Sequence, residues 1–269
     1  MVMDISLFDQ VAKSCEALGV DLSAGDLASY VVSNKLSEAQ VTAITDLFRE
    51  LEQKKYQTAI ETLLRLSRLP TKVPKTFESF DFNRIHGKDS ECVRELPMLS
   101  EIHAGKNIAF IGPPGVGKTH LAEAYGRACC FERMKVYFLK ASELKDKFLA
   151  ARKDGREANL INSLVKPSCL IIDEVGRCVF DKECTSMFFD MIDRRYEKEG
   201  ANCMIFTSNR QPNDWQEFFR GEDDLNAALD RLFDDAKIIG IKGKSYRGRK
   251  RQVFAVEASP EAQAGPKHN

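Results

Sequence analysis

The sequence predicts an α/β fold, in which a parallel β-sheet is flanked by helices on both faces and preceded by a small all-α domain. From Phe77 onward, short apolar segments alternate with helical stretches, which is typical of a parallel sheet covered by helices. Before Phe77, apolar residues recur at helical spacing instead. The length of 269 residues is sufficient for one large domain and one small one.

Two helices are predicted in the N-terminal region. The first stops at Gly19, and its apolar positions are Ile5, Phe8, Val11, Cys15 and Leu18. The second begins at Ser37, because Gln40 three residues later completes a capping box. Its apolar positions continue to about Leu69, and Pro70 then ends it.

Five apolar segments are the predicted strands of the sheet: Ile108–Ile111, Val136–Leu139, Cys169–Ile172, Met204–Thr207 and Lys237–Ile241. Two prolines in residues 69–76 indicate a linker. We therefore expect a helical domain over residues 1–68, a linker over 69–76, the α/β domain over 77–255 and a flexible polar tail over 256–269.

The composition is that of a soluble globular protein, with 43% hydrophobic and 30% charged residues. No apolar run is long enough to cross a bilayer, and no signal-peptide pattern opens the chain, so we expect a cytoplasmic protein without a membrane partner. The eight cysteines show no CxxC or Cys/His metal-ligand spacing. Reduced, buried thiols are therefore expected rather than disulfides.

The charges are unevenly distributed, although the net charge is zero. Residues 1–50 contain eight acids and three bases, and residues 213–235 contain eight acids and two bases. The next segment, residues 236–252, contains seven bases and no acid. A local excess of positive charge favours contact with nucleic acid even when the whole chain is neutral.

A phosphate-binding loop is predicted at Gly112-Pro-Pro-Gly-Val-Gly-Lys-Thr119, which fits the pattern GxxxxGK[ST] between a strand and a helix. Its glycines let successive backbone N–H groups point at an anion. Lys118 is the candidate to contact the β- and γ-phosphates of ATP, and the Thr119 hydroxyl is a candidate Mg²⁺ ligand. A glycine-rich turn without a ligand is the alternative. The predicted nucleotide-binding residues are Gly112, Pro113, Pro114, Gly115, Val116, Gly117, Lys118, Thr119 and His120.

Two adjacent acids end the third predicted strand, Cys169-Leu-Ile-Ile-Asp-Glu174. Asp173 fits the Walker B role of holding Mg²⁺, and Glu174 fits a general base that polarises the attacking water. The adjacent glutamate favours hydrolysis of ATP over phosphoryl transfer to another acceptor. An acidic strand end exposed to solvent is the alternative.

Asn209 ends the next apolar strand, in Thr207-Ser-Asn209, and is a further candidate catalytic residue. A polar side chain there can lie beside the strand of the acids and hold the attacking water or the γ-phosphate. Asparagine also ends strands simply to make a turn. The order of the three motifs along the chain favours the catalytic interpretation.

These segments resemble the IstB-like helper ATPases of bacterial insertion sequences, which belong to the AAA+ class and are related to the DnaC helicase loader. The resemblance covers about Phe77 to Arg247 and is carried by GPPGVGKTHLAEA, LIIDEVG, TSN followed by Pro and Trp215, and LDRLFDDAKIIGIKGKSYR. It implies an AAA+ domain that binds ATP and Mg²⁺, assembles on double-stranded DNA as an ATP-dependent oligomer, and acts with a transposase encoded by the same element. Only 38 residues follow Arg231, too few for a C-terminal helical lid, so a neighbouring subunit is expected to enclose the nucleotide.

Arg231 lies in Leu229-Asp-Arg-Leu232, where these families have an arginine finger. Such an arginine stabilises the negative charge that develops on the phosphoryl oxygens. A surface arginine paired with Asp230, Asp234 or Asp235 is the alternative. Arg194 and Arg195 are competing candidates for an intersubunit contact.

The basic C-terminal segment is the candidate DNA-binding surface, and its candidate residues are Lys242, Lys244, Arg247, Arg249, Lys250 and Arg251. Nothing in the segment is suited to reading base edges, so sequence-independent binding is expected. A solvated charged tail is the alternative. A second candidate surface comprises Lys54, Lys55, Arg65, Arg68, Lys72 and Lys75, for which a solvated helix face is the alternative.

Three functions are consistent with these motifs. The first is a transposition helper ATPase that acts on double-stranded DNA, and the second is a replicative helicase loader that binds single-stranded DNA. The third is an ATP-gated scaffold that assembles on DNA with little hydrolysis. The Glu174 carboxylate argues against the scaffold.

Overall fold

The computed structural model of the protein describes residues 5–221, 225–243 and 245–246. Its N-terminal part is a unit of three helices, α1 (Ile5–Leu18), α2 (Ala24–Ser33) and α3 (Glu38–Leu66). The apolar faces of these helices enclose a small core of their own, which contains Val11, Cys15, Leu27, Val31 and Val41. The helical N-terminal region predicted from the apolar spacing is confirmed.

Hydrogen-bonded caps begin α2 and α3. The predicted capping box at Ser37 is confirmed: the backbone N–H of Gln40 donates to the Ser37 hydroxyl, and the backbone N–H of Ser37 donates to Gln40 Oε1 at 2.8 Å. α2 begins with the equivalent pair Ser23 and Asp26, a signal that the prediction missed. Both helices therefore start at positions that the local sequence encodes.

The end of α3 differs from the prediction, which placed it near Leu69. The helix ends at Leu66, and the hydroxyl of the C-cap residue Ser67 donates to the carbonyl oxygen of Leu64 at 2.7 Å. Arg68 then adopts a left-handed conformation with φ of 60°. The chain therefore leaves the helix before the proline, and Leu69 packs into the core of the α/β part instead.

The five predicted strands are all present and form one parallel sheet. Their bounds are β1 (Ile108–Ile111), β2 (Val136–Lys140), β3 (Cys169–Val175), β4 (Cys203–Ser208) and β5 (Lys237–Gly240). The strand order is β2-β3-β4-β1-β5, so β4 lies between β1 and β3. β3 is longer than predicted and includes both Asp173 and Glu174.

Helices cover both faces of the sheet, which confirms the predicted fold class. The remaining α-helices are α4 (Glu91–Arg94), α5 (Ser100–His103), α6 (Lys118–Phe131), α7 (Ala141–Asp154), α8 (Glu157–Val165), α9 (Lys182–Tyr196) and α10 (Leu225–Phe233). Alternate residues of β1 face opposite cores: Ile108 and Phe110 pack on one side, Ala109 and Ile111 on the other. α6 contributes to the first core, and α7, α8 and α9 contribute to the second.

The strand order brings three functional segments to one edge of the sheet, because the carboxyl ends of parallel strands lie together. The loop after β1 leads into α6, β3 ends with the two acids, and β4 lies between these strands. The segment that follows β5 borders the loop after β1 from the other side. The candidate site is assembled at this edge.

The cysteines agree with the expectation of reduced thiols. All eight are free, and six of them are buried. Burial raises the pKa of Cys130 to about 12, so that thiol stays protonated and unreactive.

The C-terminal part of the chain is described only in part. No helix follows β5 within the described residues, which end at Tyr246. The predicted tail, residues 256–269, lies outside the part that the structure describes. Among the described helices, none is long and apolar enough to span a membrane.

Candidate nucleotide-binding site

The loop between β1 and α6 adopts a conformation that depends on its glycines. Gly112 and Gly115 have φ values of 152° and 81°, in the left-handed region that favours glycine. A Cβ atom at Gly112 would overlap the carbonyl oxygen of Ile241, and one at Gly115 would overlap the hydroxyl of Ser245. The segment after β5 therefore lies against the loop, where the backbone N–H of Tyr246 donates to the Gly115 carbonyl oxygen at 2.7 Å.

Lys118 is the first residue of α6 and is only 7% exposed. Its ammonium group donates to the carbonyl oxygens of Gly112 and Pro113 at 2.7 and 2.8 Å. It also donates to Oδ1 of Asn209, just after β4, at 2.8 Å. The structure thus brings the predicted lysine and the predicted asparagine together, because β4 lies directly beside β1.

A hydrogen-bond network joins α6, β3 and β4 next to the loop. Asp173 is 3% exposed, and its Oδ1 accepts hydrogen bonds from the hydroxyls of Thr119 and Thr207 at 2.8 and 2.5 Å. The Thr207 hydroxyl in turn accepts a hydrogen bond from the backbone N–H of Glu174 at 3.0 Å. A carboxylate and a threonine hydroxyl beside a phosphate-binding loop are oxygen ligands that suit Mg²⁺, so these residues fit the ion.

The backbone of Glu174 is unusual, since its φ of 61° is uncommon for a residue other than glycine. The pairing of β3 with β4 shifts register here, between Ile172 and Val175. Two cations hold the carboxylate: the Arg177 guanidinium lies 2.6 Å from Oε1, and the Lys140 ammonium lies 3.5 Å from Oε2. Such backbone conformations cluster at functional sites, which agrees with the predicted role of this residue.

Two cavities of about 400 Å³ each border the loop, and both are lined by Gly115, Lys118 and Thr119. The linker-side cavity is further lined by Lys75, Ser79, Phe80, Asp81, Arg84, Gly117, His120, Glu123 and Tyr246. The acid-side cavity is further lined by Pro114, Glu174, Val175, Gly176, Arg177, Thr207, Ser208, Asn209 and Arg210. An elongated anionic ligand that lies over the shared residues would reach into both cavities.

Three of the predicted nucleotide-binding residues line neither of these two cavities. Gly112 and Pro113 instead direct their carbonyl oxygens at the Lys118 ammonium group. The side chain of Val116 is buried in the core on the α6 face of the sheet. Gly112 and Pro113 therefore help to hold the Lys118 ammonium group, and Val116 anchors the loop to the core.

One residue of the predicted linker, Lys75, lines the linker-side cavity, and its neighbour Thr76 contacts α6. His120 connects this segment to α6, because its Nε2 lies 2.9 Å from the carbonyl oxygen of Thr76 and 3.2 Å from the hydroxyl of Ser79. Burial lowers the pKa of His120, so the neutral imidazole donates to the Thr76 carbonyl. The guanidinium of Arg84 lies 4.8 Å from the ring centroid of Tyr246, and both line the same cavity.

Glu123 is a buried acid in the linker-side cavity that the sequence interpretation missed. It is 6% exposed, and its Oε2 has no hydrogen-bond partner among the described residues. Burial raises its pKa to about 7, and the charge of Asp173 adds to this increase, while Arg127 and Lys75 oppose it. Glu123 follows Thr119 by four residues on α6, and that helical spacing is the signal that could have identified it.

The candidate arginine finger lies apart from both cavities. Arg231, on α10, donates to Oδ1 of Asp193 on α9 at 2.8 Å, and its side chain is 55% exposed. It lines neither the linker-side nor the acid-side cavity. The ion pair is formed with α9 rather than with an aspartate close in sequence, so a single chain does not bring Arg231 to its own loop.

The two competing arginines have opposite environments. Arg194 is exposed and pairs with an aspartate one turn earlier on α9, at 2.7 Å. Arg195 is fully buried and donates to the carbonyl oxygens of Leu164 and Pro167 at 3.0 and 2.9 Å, and to Asn202 Oδ1 at 2.7 Å. The prediction that Arg195 is a candidate for an intersubunit contact is therefore wrong, because its own chain encloses the guanidinium group.

The predicted DNA-binding segment is mostly outside the part that the structure describes. Lys242 is described, and it is exposed just after β5. The other candidates, Lys244, Arg247, Arg249, Lys250 and Arg251, lie outside the described residues.

The second basic surface is divided among different contacts. Lys55 donates to the carbonyl oxygens of Ala17 and Leu18 at the end of α1, at 2.9 and 2.8 Å. The guanidinium of Arg68 lies 5.7 Å from the ring centroid of Tyr137 on β2. A further member, the linker lysine at position 75, lines the linker-side cavity. These residues have separate structural contacts, so they are not one uniform helix face.

Comparison with known proteins agrees with the geometry of the site. The family described as IstB-like ATP binding protein matches residues 17–253 of this chain. The chain is 34% identical over 251 residues to an ATP-binding protein of insertion sequence IS5376 from Geobacillus stearothermophilus, covering 91% of this chain and 96% of that protein. It is 36% identical over 202 residues to an ATP-binding protein of insertion sequence IS21 from Pseudomonas aeruginosa, covering 75% of this chain and 74% of that protein.

A solved structure has a similar fold over part of its length. It is the replication initiator DnaA bound to AMPPCP and single-stranded DNA, with a TM-score of 0.52 at 22% identity, covering 66% of this chain and 52% of that chain. This chain thus spans about half the length of that DnaA, and the likeness concerns the fold alone. The family match extends over most of the chain and includes the loop, the acid pair and Asn209. The chain belongs to the family of IstB-like ATP-binding proteins.

Proposed function

We propose that this protein hydrolyses ATP to ADP and phosphate at the loop between β1 and α6. The observation that carries the proposal is the network of Thr119, Asp173 and Thr207, with the backbone of Glu174 bound to it. Membership of a family of ATP-binding proteins supports ATP as the nucleotide. The two cavities that meet at the loop offer room for both ends of such a ligand.

Thr119 and Asp173 are the proposed ligands of Mg²⁺. The bound ion would supply positive charge next to the β- and γ-phosphates. The two oxygen atoms are already 2.8 Å apart, and the Thr207 hydroxyl holds Asp173 Oδ1 from β4. The carboxylate is thus fixed in orientation by two hydroxyl groups from two different elements.

Lys118 and Asn209 are the proposed contacts to the γ-phosphate. The ammonium group is held by two loop carbonyl oxygens and by Asn209 Oδ1, so it is confined to the loop. A phosphate oxygen would compete for one of these hydrogen bonds, whereas the others would keep the cation in place. The Asn209 amide would then lie beside both the phosphate and the attacking water.

Glu174 is the proposed general base. The water oxygen attacks the γ-phosphorus, one water proton passes to the Glu174 carboxylate, and the bond to the bridging oxygen breaks with its electron pair leaving on ADP. Oε1 is held by Arg177 at 2.6 Å, whereas Lys140 lies 3.5 Å from Oε2. The looser contact makes Oε2 the oxygen that accepts the proton.

We also propose that active sites form between neighbouring subunits, with Arg231 supplied by the neighbour. The side chain is exposed and lines neither cavity of its own chain, which supports a role in another subunit. The test mixes the inactive variants Lys118→Ala and Arg231→Ala. Some junctions then combine an intact loop with an intact arginine, so activity should partly return. A mixture that co-assembles and stays inactive would contradict this arrangement.

The proposed biological role is that of a transposition helper, which assembles on double-stranded DNA and acts with a transposase from the same element. The relatives named above come from insertion sequences, which supports this role. The seven bases of residues 236–252 support contacts with the DNA backbone.

ATP-dependent binding to duplexes of unrelated sequence should be similar and should weaken steeply as salt rises. Replacing Arg249, Lys250 and Arg251 with alanine should flatten that dependence, and an unchanged slope would assign DNA binding to another surface.

The experiment that tests the proposed function measures phosphate release from ATP with Mg²⁺, alone, with duplex DNA and with single-stranded DNA. The parent protein should turn over, and duplex DNA should promote its assembly. Lys118→Ala should lose ATP binding, because the loop loses its ammonium group. A parent protein that binds ATP without releasing phosphate would instead be a scaffold. A strong preference for single strands would favour the helicase loader.

A further inference from the structure

Arg210 is an arginine of the acid-side cavity with no role in the site as described so far. It follows Asn209 directly and lines the cavity together with Lys118, Thr119 and Glu174. Its backbone N–H donates to the Ser208 hydroxyl at 3.0 Å. That hydroxyl in turn donates to the Val175 carbonyl oxygen at the end of β3, at 2.8 Å. These hydrogen bonds therefore hold the backbone of Arg210 at the point where β3 and β4 end.

The other cations near this cavity are already bound to protein groups. The Lys118 ammonium group is held by loop carbonyl oxygens, and the Arg177 guanidinium lies 2.6 Å from the Glu174 carboxylate. The exposed guanidinium of Arg210 makes no hydrogen bond or ion pair with the described residues. It is thus a cation at the cavity whose charge the described part of the protein does not neutralise.

We propose that Arg210 contacts the γ-phosphate of the nucleotide bound by its own subunit and stabilises the charge that develops there during hydrolysis. This inference rests on the proposed ATPase function and deepens it. Arginine suits the role, because its charge is fixed and its planar donors match phosphoryl oxygens in pairs. Arg210 moves no proton: the proton of water goes to Glu174, and the electron pair of the broken bond leaves on ADP.

Arg210 and Arg231 are expected to act in the same site but from different subunits. Arg210 is placed beside the loop by its own chain, whereas Arg231 is paired with Asp193 away from it. A contact to the γ-phosphate also predicts discrimination between nucleotides. ATP carries that phosphate and ADP does not, so the affinity for ATP alone should depend on Arg210.

The first test compares the affinities of Arg210→Ala for fluorescent ATP and ADP with those of the parent protein. We expect ATP to bind about tenfold more weakly, equivalent to about 1.4 kcal/mol, and ADP to bind within about twofold of the parent. Arg210→Lys should bind ATP with intermediate affinity, since it keeps the charge and loses the paired donors. The matched control is Arg220→Ala, another exposed arginine that does not line the cavity, which should change neither affinity.

Parent-level affinity of Arg210→Ala for ATP would overturn the proposal, because the contact to the γ-phosphate would then be absent. If that variant fails to fold, Arg210→Gln is measured instead, because it retains most of the side-chain volume. The two affinities test Arg210 even if the parent protein releases no phosphate. Failure of the ATPase proposal and failure of this one are therefore distinguishable.

Arg210→Ala should also hydrolyse ATP far more slowly than the parent, because the charge that develops on the γ-phosphate loses its guanidinium partner. The second test assigns the subunit by mixing variants that hydrolyse ATP poorly. A mixture of Arg210→Ala with Lys118→Ala should stay inactive, because every intact loop then belongs to a subunit that lacks its own Arg210. The mixture of Arg231→Ala with Lys118→Ala should recover activity in the same assay. Recovery in the Arg210 mixture would mean that the arginine serves a neighbouring site, and it would overturn the assignment to the same subunit.

Discussion

Replacing Glu123 with glutamine should make the protein more stable at pH 8 and change its stability little at pH 5. The carboxyl group is 6% exposed, and its Oε2 has no partner among the described residues. Burial in the linker-side cavity raises its pKa from the usual value of 4.5 to about 7. The folded state therefore favours the neutral acid, which glutamine imitates at every pH.

The direction and size of the effect follow from this pKa. Because the folded-state pKa of Glu123 is raised, its contribution to stability is complete below pH 4.5 and is lost as the pH rises through 7. At about 1.4 kcal/mol for each pKa unit, the full loss is about 3 kcal/mol. Part of this loss of stability has already occurred at pH 5. Between pH 5 and pH 8 the parent should therefore lose about 2 kcal/mol of unfolding free energy that the glutamine variant keeps.

The assay is denaturant unfolding of both proteins at several pH values between 5 and 8. Glu61→Gln is the matched control, since Glu61 is an exposed glutamate on α3 and its substitution should not produce this divergence. A difference between Glu123→Gln and the parent that is the same at pH 5 and pH 8 would refute the reasoning. Lower stability of the glutamine variant at pH 8 would refute it as well.

Three further predictions concern the fold. Arg195→Met should lower the free energy of unfolding, measured with denaturant, by about 3 kcal/mol or more, because it leaves several buried carbonyl oxygens without donors. A loss below about 1 kcal/mol would contradict a structural role of Arg195. Ser37→Ala should cost about 1 kcal/mol in the same measurement by removing the cap of α3, and an unchanged stability would show that the cap is dispensable. Gly112→Ala should lose ATP binding and lower the melting temperature, because its Cβ would overlap the Ile241 carbonyl oxygen; parent-level binding of ATP would contradict the loop geometry.

Local sequence patterns were sufficient to predict the five strands and two of the three N-terminal helices. The five strands and the cap of α3 at Ser37 depend on short-range spacing, and all are confirmed. α2 was missed although Ser23 and Asp26 carry the same type of signal as Ser37 and Gln40. The end of α3 was misplaced because hydrophobic spacing does not reveal the left-handed conformation of Arg68.

The positions of the motifs predict that the residues of the candidate site lie together, since parallel strands bring their carboxyl ends to one edge of the sheet. The contacts of Lys118 with Asn209, and of Thr119 with Asp173, agree with that expectation. The catalytic roles assigned to these residues stay predictions until turnover is measured.

Long-range packing accounts for the features that sequence spacing could not reveal. Arg195 is buried because it contacts carbonyl oxygens about thirty residues earlier in the chain. The burial of Glu123 depends on the linker that folds over α6. The position of Arg210 in the acid-side cavity depends on the neighbouring end of β3. The four-residue spacing from Thr119 places Glu123 on the loop-facing side of α6, but no short window of sequence indicates the contacts that bury it or Arg195, or that hold Arg210.

The measurement that tests the account most directly is the rate of phosphate release by Glu174→Gln, with the affinity for ATP determined on the same preparation. The neutral amide keeps the shape of the side chain and cannot accept the proton of the attacking water. The account predicts an affinity close to that of the parent and a rate lower by about 10²-fold or more. Hydrolysis at the parent rate would contradict the central claim that the acid pair at the end of β3 forms the catalytic site.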